Sequence, residues 1–336
     1  MLYFSYVYRL AFNLSCNHFG KRLNIMTQVE QELAQAAPDK ETVLTIGVFD
    51  GVHLGHNALL SEIKAQAEQL NALSCVVTFR YHPDELLSPN KSLPYLTSLN
   101  QRVKLLKTKG IDLVVTVTFN AELAALEARE FIMLLKKYLK MRGLVVGPDF
   151  ALGKGRQGNI EYLRQVGREL GFTVTTVPPV QVKNETVSST AIRNALADGD
   201  MKRVENLAGR YFSFTGKVVE GEKRGRRLGF PTANLDVHPR QALPPFGIYA
   251  TLAHISGKTY QSVTNIGIRP TFSEGRRTIE VYILDFDKDI YGKELRVDFI
   301  AKLRDEKKFS SVDELIKQMS DDVKQGRQIL DSLGKK

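Results

Sequence analysis

The segment from Gly47 to His56, which reads Gly-Val-Phe-Asp-Gly-Val-His-Leu-Gly-His, combines three glycines with two histidines three positions apart. It follows an apolar run and precedes a run with helical spacing, which predicts a turn between a strand and a helix. Backbone N–H groups at a helix start attract anions, and imidazoles can donate hydrogen bonds to phosphate oxygens. The sequence therefore predicts a phosphate-binding turn. Its predicted ligand contacts are Gly47, Phe49, Gly51, Gly55, His53 and His56.

His53 and His56 have two other interpretations. A histidine is often a hydrogen-bonded residue of the core, and this alternative stays open for the two histidines taken alone. A zinc site is disfavoured because no third ligand lies near them in the sequence. The predicted strand, turn and helix favour phosphate over both alternatives.

A second candidate anion site is the segment Val187–Arg193, Val-Ser-Ser-Thr-Ala-Ile-Arg. Ser188 or Ser189 can cap the helix that is predicted to follow, which leaves amides and hydroxyls, including that of Thr190, for an anion. Arg193, expected on the first helical turn, would neutralise phosphate charge. A simple helix cap is the commoner explanation for this segment alone. Together with the histidine turn, it predicts a second wall of the same crevice.

The last third of the chain carries a basic, glycine-containing loop from Gly225 to Asn234, Gly-Arg-Arg-Leu-Gly-Phe-Pro-Thr-Ala-Asn. Gly225 and Arg226 are predicted to contact phosphate. Magnesium prefers hard oxygen ligands together with ATP phosphates and water, and the side-chain oxygens of Thr232 and Asn234 can supply two of them. A surface hairpin with a solvated basic tip is the default alternative for such a loop.

Glu280 lies between Ile279 and Val281 in a predicted strand, so its side chain points to the opposite face from theirs. On that face its carboxylate could accept the proton of an attacking alcohol, or could simply face water. The pattern alone favours water.

Residues 43 to about 209 alternate short β-rich runs with runs of helical spacing. This alternation predicts an α/β unit with a doubly wound, Rossmann-like parallel sheet, in which ligands bind at the carboxyl ends of the strands. The predicted strands are 43–49, 75–79, 113–119, 144–147 and 172–177, and the predicted helices are 57–70, 99–107, 128–139 and 160–170.

The remainder has the pattern of a small antiparallel β-barrel with a C-terminal helix at 311–330. Its predicted strands are 214–219, 247–254, 260–266, 278–284 and 295–300. Three segments are therefore expected: a disordered or mis-started extension at 1–25, an α/β domain at 26–209 and a barrel domain at 210–336.

The composition is that of a globular protein with excess positive charge. Lys and Arg number 47 and Asp and Glu number 37, for a net charge of +10. This favours anionic partners such as nucleic acid, acidic membranes or small phosphorylated substrates. The two cysteines, Cys16 and Cys75, form no CxxC pair, which predicts a reducing, cytoplasmic location. The apolar segment Leu2–Leu14 is too short to span a bilayer, and a membrane-surface anchor is less favoured than a plain extension.

The histidine turn with a distal Ser-Ser-Thr-x-Ile-Arg resembles the nucleotidyltransferases that move an adenylyl group from ATP onto a phosphate. Three further groups of residues are similar to the FAD synthetase module of the bacterial bifunctional riboflavin kinase/FAD synthetase family. They are Thr78-Phe79 with His82-Pro83, Gly147-Pro148-Asp149-Phe150, and Gly153 before Arg156 and Gly158.

The barrel segment resembles riboflavin kinase, so that the likeness to the bifunctional family runs from about residue 44 to 330. Tyr81 and Leu152 depart from the pattern, where the family usually has proline and often has phenylalanine. The motifs of the kinase resemblance are Gly229–Asn234, Asn265-Ile266-Gly267 before 269–272, Ile279-Glu280-Val281, Tyr291-Gly292 and Leu303–Glu306.

The resemblance implies a nucleotidyltransferase-like sheet and two reactions. ATP phosphorylates riboflavin to FMN in the barrel domain, and a second ATP adenylylates FMN to FAD, with release of pyrophosphate, in the α/β domain. ATP, riboflavin and FMN would be the substrates and Mg²⁺ the cofactor, with no nucleic-acid or membrane partner and with a monomer or weak self-association. The implied roles are ATP phosphate contacts for His53, His56, Ser189 and Arg193, a nucleotide contact for Asp149, metal ligation by Thr232 and Asn234, proton acceptance by Glu280, and shaping of the flavin side by Arg304.

A basic nucleic-acid-binding protein or a flavin-sensing regulator without catalysis is the competing interpretation. The charge of +10 and the barrel support it. The absence of a helix-turn-helix signature, of an aromatic RNA-binding motif and of tryptophan argues against it.

Overall fold

The structure, a computed structural model, describes residues 26–87, 93–222, 224–268 and 277–335. The predicted extension at 1–25 and residues 269–272 of the riboflavin kinase resemblance lie outside these ranges.

An N-terminal α/β unit is built on a five-stranded sheet in which every strand is parallel to its neighbours. The strands are β1 (Thr42–Gly47), β2 (Leu73–Phe79), β3 (Leu113–Val117), β4 (Met141–Val146) and β5 (Thr173–Thr176). Their order is β3-β2-β1-β4-β5, so the direction of winding reverses beside β1. The crevice between the loops that follow β1 and β4 is therefore where a ligand is expected.

Helices cover both faces of this sheet. The helices are α1 (Gln28–Gln35), α2 (Leu54–Gln69), α3 (Asp84–Leu87), α4 (Leu99–Thr108), α5 (Ala121–Ala125), α6 (Ala128–Leu139), α7 (Ile160–Leu170), α8 (Ser189–Ala197) and α9 (Met201–Ala208), with a 3₁₀ turn at Lys154–Arg156 and a hairpin of β6 (Gln181–Val182) and β7 (Glu185–Thr186).

Alternate residues of β1 face opposite sides of the sheet. Leu44 and Ile46 pack with α1, α6 and α7, whereas Val43 packs with α2 and α4. Because both faces are buried, these strands are almost continuously apolar.

The second unit is a closed antiparallel barrel with strand order β10-β11-β12-β9-β8-β13. The elements are β8 (Phe212–Val219), α10 (Arg224–Arg227), β9 (Thr232–Asp236), β10 (Gly247–Ile255), β11 (Lys258–Ile268), β12 (Arg277–Ile283), β13 (Glu294–Arg304) and α11 (Val312–Asp331), followed by a 3₁₀ turn at Ser332–Lys335. The helix α11 packs on β10, β11 and β13.

One hydrophobic core joins the two units. Buried residues of α8 and α9, among them Ile192, Val204 and Leu207, belong to the same apolar cluster as the barrel residues Phe214 and Phe299. The helix α9 packs directly on β8 and β13. The last two helices before the barrel are thus bound to it by their apolar faces.

These elements confirm the predicted fold class of a parallel α/β sheet followed by a small antiparallel barrel and a C-terminal helix. The strand β9 and the helices α1 and α9 were not predicted. In β9 only Leu235 is buried, so its sequence lacks the apolar alternation typical of a strand. Across the described residues, the structure contains no helix with the length and apolar character needed to cross a membrane.

Candidate active sites

The predicted phosphate-binding turn joins the carboxyl end of β1 to the start of α2. Three of its residues, Phe49, Gly51 and Val52, have positive φ angles of 53°, 83° and 35°. A β-branched residue such as Val52 rarely adopts this left-handed conformation, so surrounding groups must hold the turn in place.

Side chains from other elements hold the turn by donating hydrogen bonds to its carbonyl oxygens. The donor–acceptor pairs are Thr78 Oγ1 to Val48 O (2.9 Å), Arg102 Nη1 to Val48 O (2.6 Å), Ser189 Oγ to Asp50 O (2.8 Å), Arg210 Nη2 to Gly51 O (2.6 Å) and Arg210 Nη1 to Val52 O (3.0 Å). Several N–H groups of the turn are engaged as well, since those of Gly51 and Val52 donate to Thr97 Oγ1 and to the Phe49 carbonyl oxygen, both at 3.0 Å.

His53 and His56 cap the start of α2 reciprocally. The N–H of His56 donates to Nδ1 of His53, and the N–H of His53 donates to Nδ1 of His56, both at 3.3 Å. The two rings stack with their centroids 3.6 Å apart, and the Phe49 ring lies 4.8 Å from His56. Because each Nδ1 accepts a hydrogen bond, each neutral ring carries its proton on Nε2, which is the atom available to donate to a ligand.

The environment of the pair keeps both imidazoles neutral. Burial, together with the positive charges of Arg210 and Arg193, lowers the pKa of His53 to about 4. Burial, together with His53, Arg210 and Arg102, lowers the pKa of His56 well below its usual value. The positive potential for binding phosphate therefore comes from the arginines, and the histidines act as neutral donors.

Asp50 connects the histidine turn to the serine segment. Its buried carboxylate accepts hydrogen bonds from the N–H groups of Leu96 (3.0 Å) and Thr97 (2.9 Å) and forms an ion pair with Arg193. Since Ser189 also donates to the Asp50 carbonyl, the structure brings the two predicted anion-binding segments together.

The serine segment agrees with its prediction at the helix cap and differs from it at Arg193. Ser188, one of the two predicted caps, caps α8 by accepting a hydrogen bond from the N–H of Ala191 (3.1 Å). Arg193 is the fifth residue of α8, on its second turn and not on its first as expected, because the helix begins at Ser189. The side chain of Thr190 is exposed.

The other predicted contacts of this crevice surround the turn. Gly47 ends β1 beneath the Phe49 ring, and Gly55 faces the carbonyl oxygen of Val187 in the serine segment. Asp149 is exposed in the loop that follows β4, and its carbonyl oxygen accepts a hydrogen bond from the Arg156 guanidinium at 3.0 Å. Because β1 and β4 are parallel neighbours, both loops lie at the same edge of the sheet.

In the barrel, three polar residues of adjacent strands form one row. Glu280 of β12 pairs with Asn234 of β9 on one side and with Asn265 of β11 on the other. Thr232 lies two residues from Asn234 and so shares its face of β9. All four residues line a cavity of about 360 Å³, which we call the first barrel cavity.

The first barrel cavity is closed by the glycine loop and by the C-terminal helix. A Cβ atom at Gly225 would lie 2.3 Å from the Phe230 carbonyl oxygen and 3.3 Å from Thr232 Oγ1, so only glycine fits there. Leu315, Met319 and Val323 of α11 line this cavity. The lining therefore combines an apolar wall with a polar row.

Arg304 is fixed at the rim of the same cavity. Its guanidinium donates two hydrogen bonds to the Asp322 carboxylate of α11, at 2.8 and 2.7 Å, and a third to the Asp305 carbonyl oxygen at 2.9 Å. The ring of Phe309 lies 5.8 Å from the guanidinium carbon.

Arg226 lies outside the first barrel cavity. It is exposed and lines a second barrel cavity of about 500 Å³, together with Phe286, Lys288 and Tyr291. Thr232 lines both cavities, so the two adjoin at this residue.

Comparison with known proteins gives a consistent picture. Residues 35–191 match the FAD synthetase family model and residues 208–330 match the riboflavin kinase model. Bifunctional riboflavin kinase/FMN adenylyltransferases from Escherichia coli K12 and Pseudomonas fluorescens are 40% and 39% identical, and each match covers 85% of this chain and 92% of the relative. A third, from Listeria monocytogenes, is 35% identical over 86% of this chain and 92% of its own.

The chain belongs to the bifunctional riboflavin kinase/FMN adenylyltransferase family. It is a transferase with both activities, so the predicted synthesis of FMN and FAD is confirmed, and the regulator alternative is not favoured. A crystal structure described as a macrolide-efflux protein from Streptococcus pneumoniae has the same fold, with a TM-score of 0.82, 30% identity, and coverage of 90% of this chain and 97% of its own.

Phosphoryl transfer from ATP generally uses a divalent metal at the phosphates, and the chemistry of the barrel row fits magnesium. The described residues contain no group of three or more histidine, cysteine, aspartate or glutamate side chains that could hold a metal. The row instead offers the neutral oxygens of Thr232 and Asn234, and the Oδ1 atom of Asn265 is buried without a hydrogen-bond partner. Magnesium accepts such a donor set when phosphates supply the negative charge.

The sequence did not reveal the residues that hold the candidate site residues in place. Asp50, Arg102, Arg210 and Asp322 were given no role, and Asn265 was noted only as part of a motif. The position of Asp50 within the histidine turn was one usable signal. No sequence signal marked Arg210 or Asp322, since their hydrogen-bond partners lie elsewhere in the sequence.

Proposed function

We propose that the two reactions of this enzyme use two separate sites, adenylyl transfer at the histidine turn within residues 26–209 and phosphorylation of riboflavin in the barrel within residues 210–336. The groups with suitable chemistry fall into two sets. One surrounds His53 and His56 at the edge of the parallel sheet, and the other surrounds Thr232 and Glu280 in the barrel.

In adenylyl transfer, a phosphate oxygen of FMN attacks the α-phosphorus of ATP, and the bond to pyrophosphate breaks. The Nε2–H groups of His53 and His56 would donate to phosphate oxygens as negative charge builds on them. Ser189 and Arg193 would bind the remaining oxygens, and Asp149 would contact the nucleotide. Alignment and charge stabilisation would supply the acceleration without a covalent intermediate.

In the kinase reaction, riboflavin would occupy the first barrel cavity and ATP the second. The base must contact the attacking alcohol, and Glu280 lines the first cavity. The second cavity offers aromatic rings at Phe286 and Tyr291 and cations at Arg226 and Lys288, which suit an adenine and phosphates. Gly225 would bring its backbone close to the phosphates, and Arg304 would shape the flavin side.

The transferred phosphoryl group would then lie at Thr232, where the two cavities meet. The ribityl hydroxyl oxygen attacks the γ-phosphorus, the bond to the β-phosphate oxygen breaks, ADP leaves, and Glu280 accepts the hydroxyl proton. Thr232 and Asn234 would hold Mg²⁺, which neutralises phosphate charge when it is bound.

One observation carries this assignment: Asn234, Glu280 and Asn265 stand side by side on three adjacent strands of one cavity. Neutral oxygen ligands and a carboxylate are thereby placed at the point where phosphate and alcohol would meet.

Two substitutions separate the sites. We expect His56→Ala to abolish FAD formation from FMN and ATP while FMN formation from riboflavin continues. Glu280→Gln should abolish FMN formation and leave the conversion of supplied FMN to FAD intact. Chromatography of flavin products over time measures both activities in one sample. Loss of both activities in each variant would contradict separate sites.

The enzyme is further proposed to act in the cytoplasm as a monomer or weakly self-associating protein, without nucleic-acid or membrane partners. The buried, unpaired thiol of Cys75 supports a reducing compartment.

A further inference from the structure

Arg210 connects the barrel unit to the histidine turn. It lies between the end of α9 and the start of β8, two residues before the first barrel strand. Its guanidinium donates to the carbonyl oxygens of Gly51 and Val52, at 2.6 and 3.0 Å. Because a guanidinium is a planar fork, one side chain can engage two successive carbonyls.

The second of these contacts acts on the histidine pair through a single peptide plane. The Val52 carbonyl belongs to the same peptide unit as the N–H of His53, and that N–H donates to Nδ1 of His56. Since a peptide unit is rigid, Arg210 at one end of the plane sets the direction of the N–H at the other end. The orientation of the His56 ring, and so of its Nε2–H, depends on this plane.

The turn also needs a restraint at this point. Val52 has a φ angle of 35°, which is unfavourable for a β-branched residue. A rotation of the Gly51–Val52 peptide would change this angle, and would turn the Gly51 carbonyl oxygen away from Arg210. A hydrogen bond from a charged donor holds this peptide against the rotation.

The junction is closely packed around this contact. A Cβ atom at Gly209 would lie 2.5 Å from Leu54 Cδ2, and Leu54 is the first residue of α2. The Nε atom of Arg210 is buried without a hydrogen-bond partner. The charge of Arg210 also contributes to the lowered pKa of both His53 and His56.

We propose that Arg210 is a positioning residue for adenylyl transfer, which holds the Gly51 and Val52 carbonyls and thereby orients the His53–His56 pair from outside the α/β sheet. This inference rests on the assignment of His53 and His56 to the ATP phosphates. Its consequence is that FAD synthesis depends on the junction with the barrel, whereas FMN synthesis does not depend on Arg210.

The full-length Arg210→Ala variant tests the proposal, with both reactions measured on the same preparation. We expect kcat for FAD formation from supplied FMN and ATP to fall by about 30- to 100-fold, with little change in KM for FMN. FMN formation from riboflavin should stay within about twofold of wild type, because the hydrogen bonds of Arg210 go to Gly51, Val52 and Ala208, which line neither barrel cavity. Arg210→Lys, which can reach one carbonyl, should recover part of the loss, as should millimolar guanidinium added to Arg210→Ala.

Arg240→Ala is the matched control. Arg240 also lies between the two units, where it pairs with Glu85 and contacts the Tyr95 ring, but it does not contact the turn. We expect this variant to keep FAD formation within about threefold of wild type.

Two results would overturn the proposal: unchanged FAD formation in Arg210→Ala, or a parallel loss of both activities that neither lysine nor guanidinium restores. His56→Ala, measured alongside, separates this failure from that of the histidine assignment. If His56→Ala is inactive in FAD formation and Arg210→Ala is active, the positioning role alone fails. If His56→Ala makes FAD at the wild-type rate, the histidine assignment fails and the positioning role fails with it.

Discussion

At the residue scale, His53 and His56 serve the fold with one ring nitrogen and, on the proposed assignment, would serve the chemistry with the other. Nδ1 of each imidazole caps the start of α2, and Nε2 is left for a ligand. This division of roles depends on neutral rings, because a protonated Nδ1 can no longer accept a hydrogen bond. The arginines around the pair favour the neutral form.

Acid should therefore destabilise the protein through His53. Its pKa is lowered from 6.5 to about 4, by burial first and then by Arg210 and Arg193. Between these values the unfolded chain binds a proton that the folded chain does not. The stability is thus fully present above pH 6.5 and is lost as the pH falls towards 4, by up to about 3 kcal/mol.

His53→Asn tests this expectation, because asparagine also caps helices but does not titrate. The free energy of unfolding, measured with urea between pH 4 and 7, should depend less on pH in the variant than in wild type. His238→Asn, at an exposed histidine outside the turn, is the control and should keep the wild-type dependence. An unchanged dependence in His53→Asn would refute the assignment.

At the element scale, the sequence predicted the strongly amphipathic elements well and the polar ones poorly. The helices α6 and α7 begin and end where the periodicity placed them, since their apolar residues mark one face continuously. The strand β9 was missed although it carries Thr232 and Asn234. Its pairing with β8 and β12 comes from barrel closure, which no local pattern of five residues encodes.

In the candidate sites, too, the sequence revealed some kinds of residue and not others. Residues that could contact substrate stood out, because their types are unusual in a strand-to-helix turn or a glycine loop. Residues that orient them did not, because the roles of Asp50 and Arg210 depend on partners brought together only by folding. Arg226, predicted to contact phosphate, lies on the short helix α10 and lines the second cavity together with Thr232.

Gly225→Ala should impair the kinase reaction alone. The added Cβ would lie 2.3 Å from the Phe230 carbonyl oxygen, so the loop over Thr232 must shift. We expect kcat/KM for FMN formation to fall by roughly tenfold or more, and FAD formation from supplied FMN to stay unchanged.

Gly257→Ala is the control for this substitution. Gly257 lies in the turn between β10 and β11, where its φ angle is 77° and a Cβ would meet nothing within 4 Å. It should cost some stability but leave both activities intact. A wild-type kinase rate in Gly225→Ala would argue against a role of the loop in phosphate binding.

At the scale of the whole molecule, the boundary between the two sets of candidate catalytic residues does not coincide with the boundary of the hydrophobic core. The boundary near residue 209 separates the two sets of candidate catalytic residues, yet α8 and α9 share the apolar core of the barrel. The sequence could not reveal this, because an amphipathic helix does not specify which neighbour covers its apolar face.

A kinase fragment that keeps these helices should therefore be more stable than one that begins at the boundary. Removing α9 uncovers the barrel residues that contact Met201, Val204 and Leu207, at a cost on the order of 5 kcal/mol. We expect fragment 188–336 to unfold at a higher temperature than fragment 210–336, and to keep more kinase activity. Equal melting temperatures in thermal denaturation would show that the helices contribute nothing to the barrel.

The connection between the two units has a bearing on how the intermediate travels. Only Gly209, Arg210 and Tyr211 lie between Ala208, which ends α9, and Phe212, which begins β8. A tether of three residues, with packed elements on both sides, cannot act as a swinging arm. On the proposed assignment of the two sites, we therefore expect FMN to leave the barrel and diffuse to the histidine turn, so that unlabelled FMN in the solution dilutes the label that passes from riboflavin into FAD.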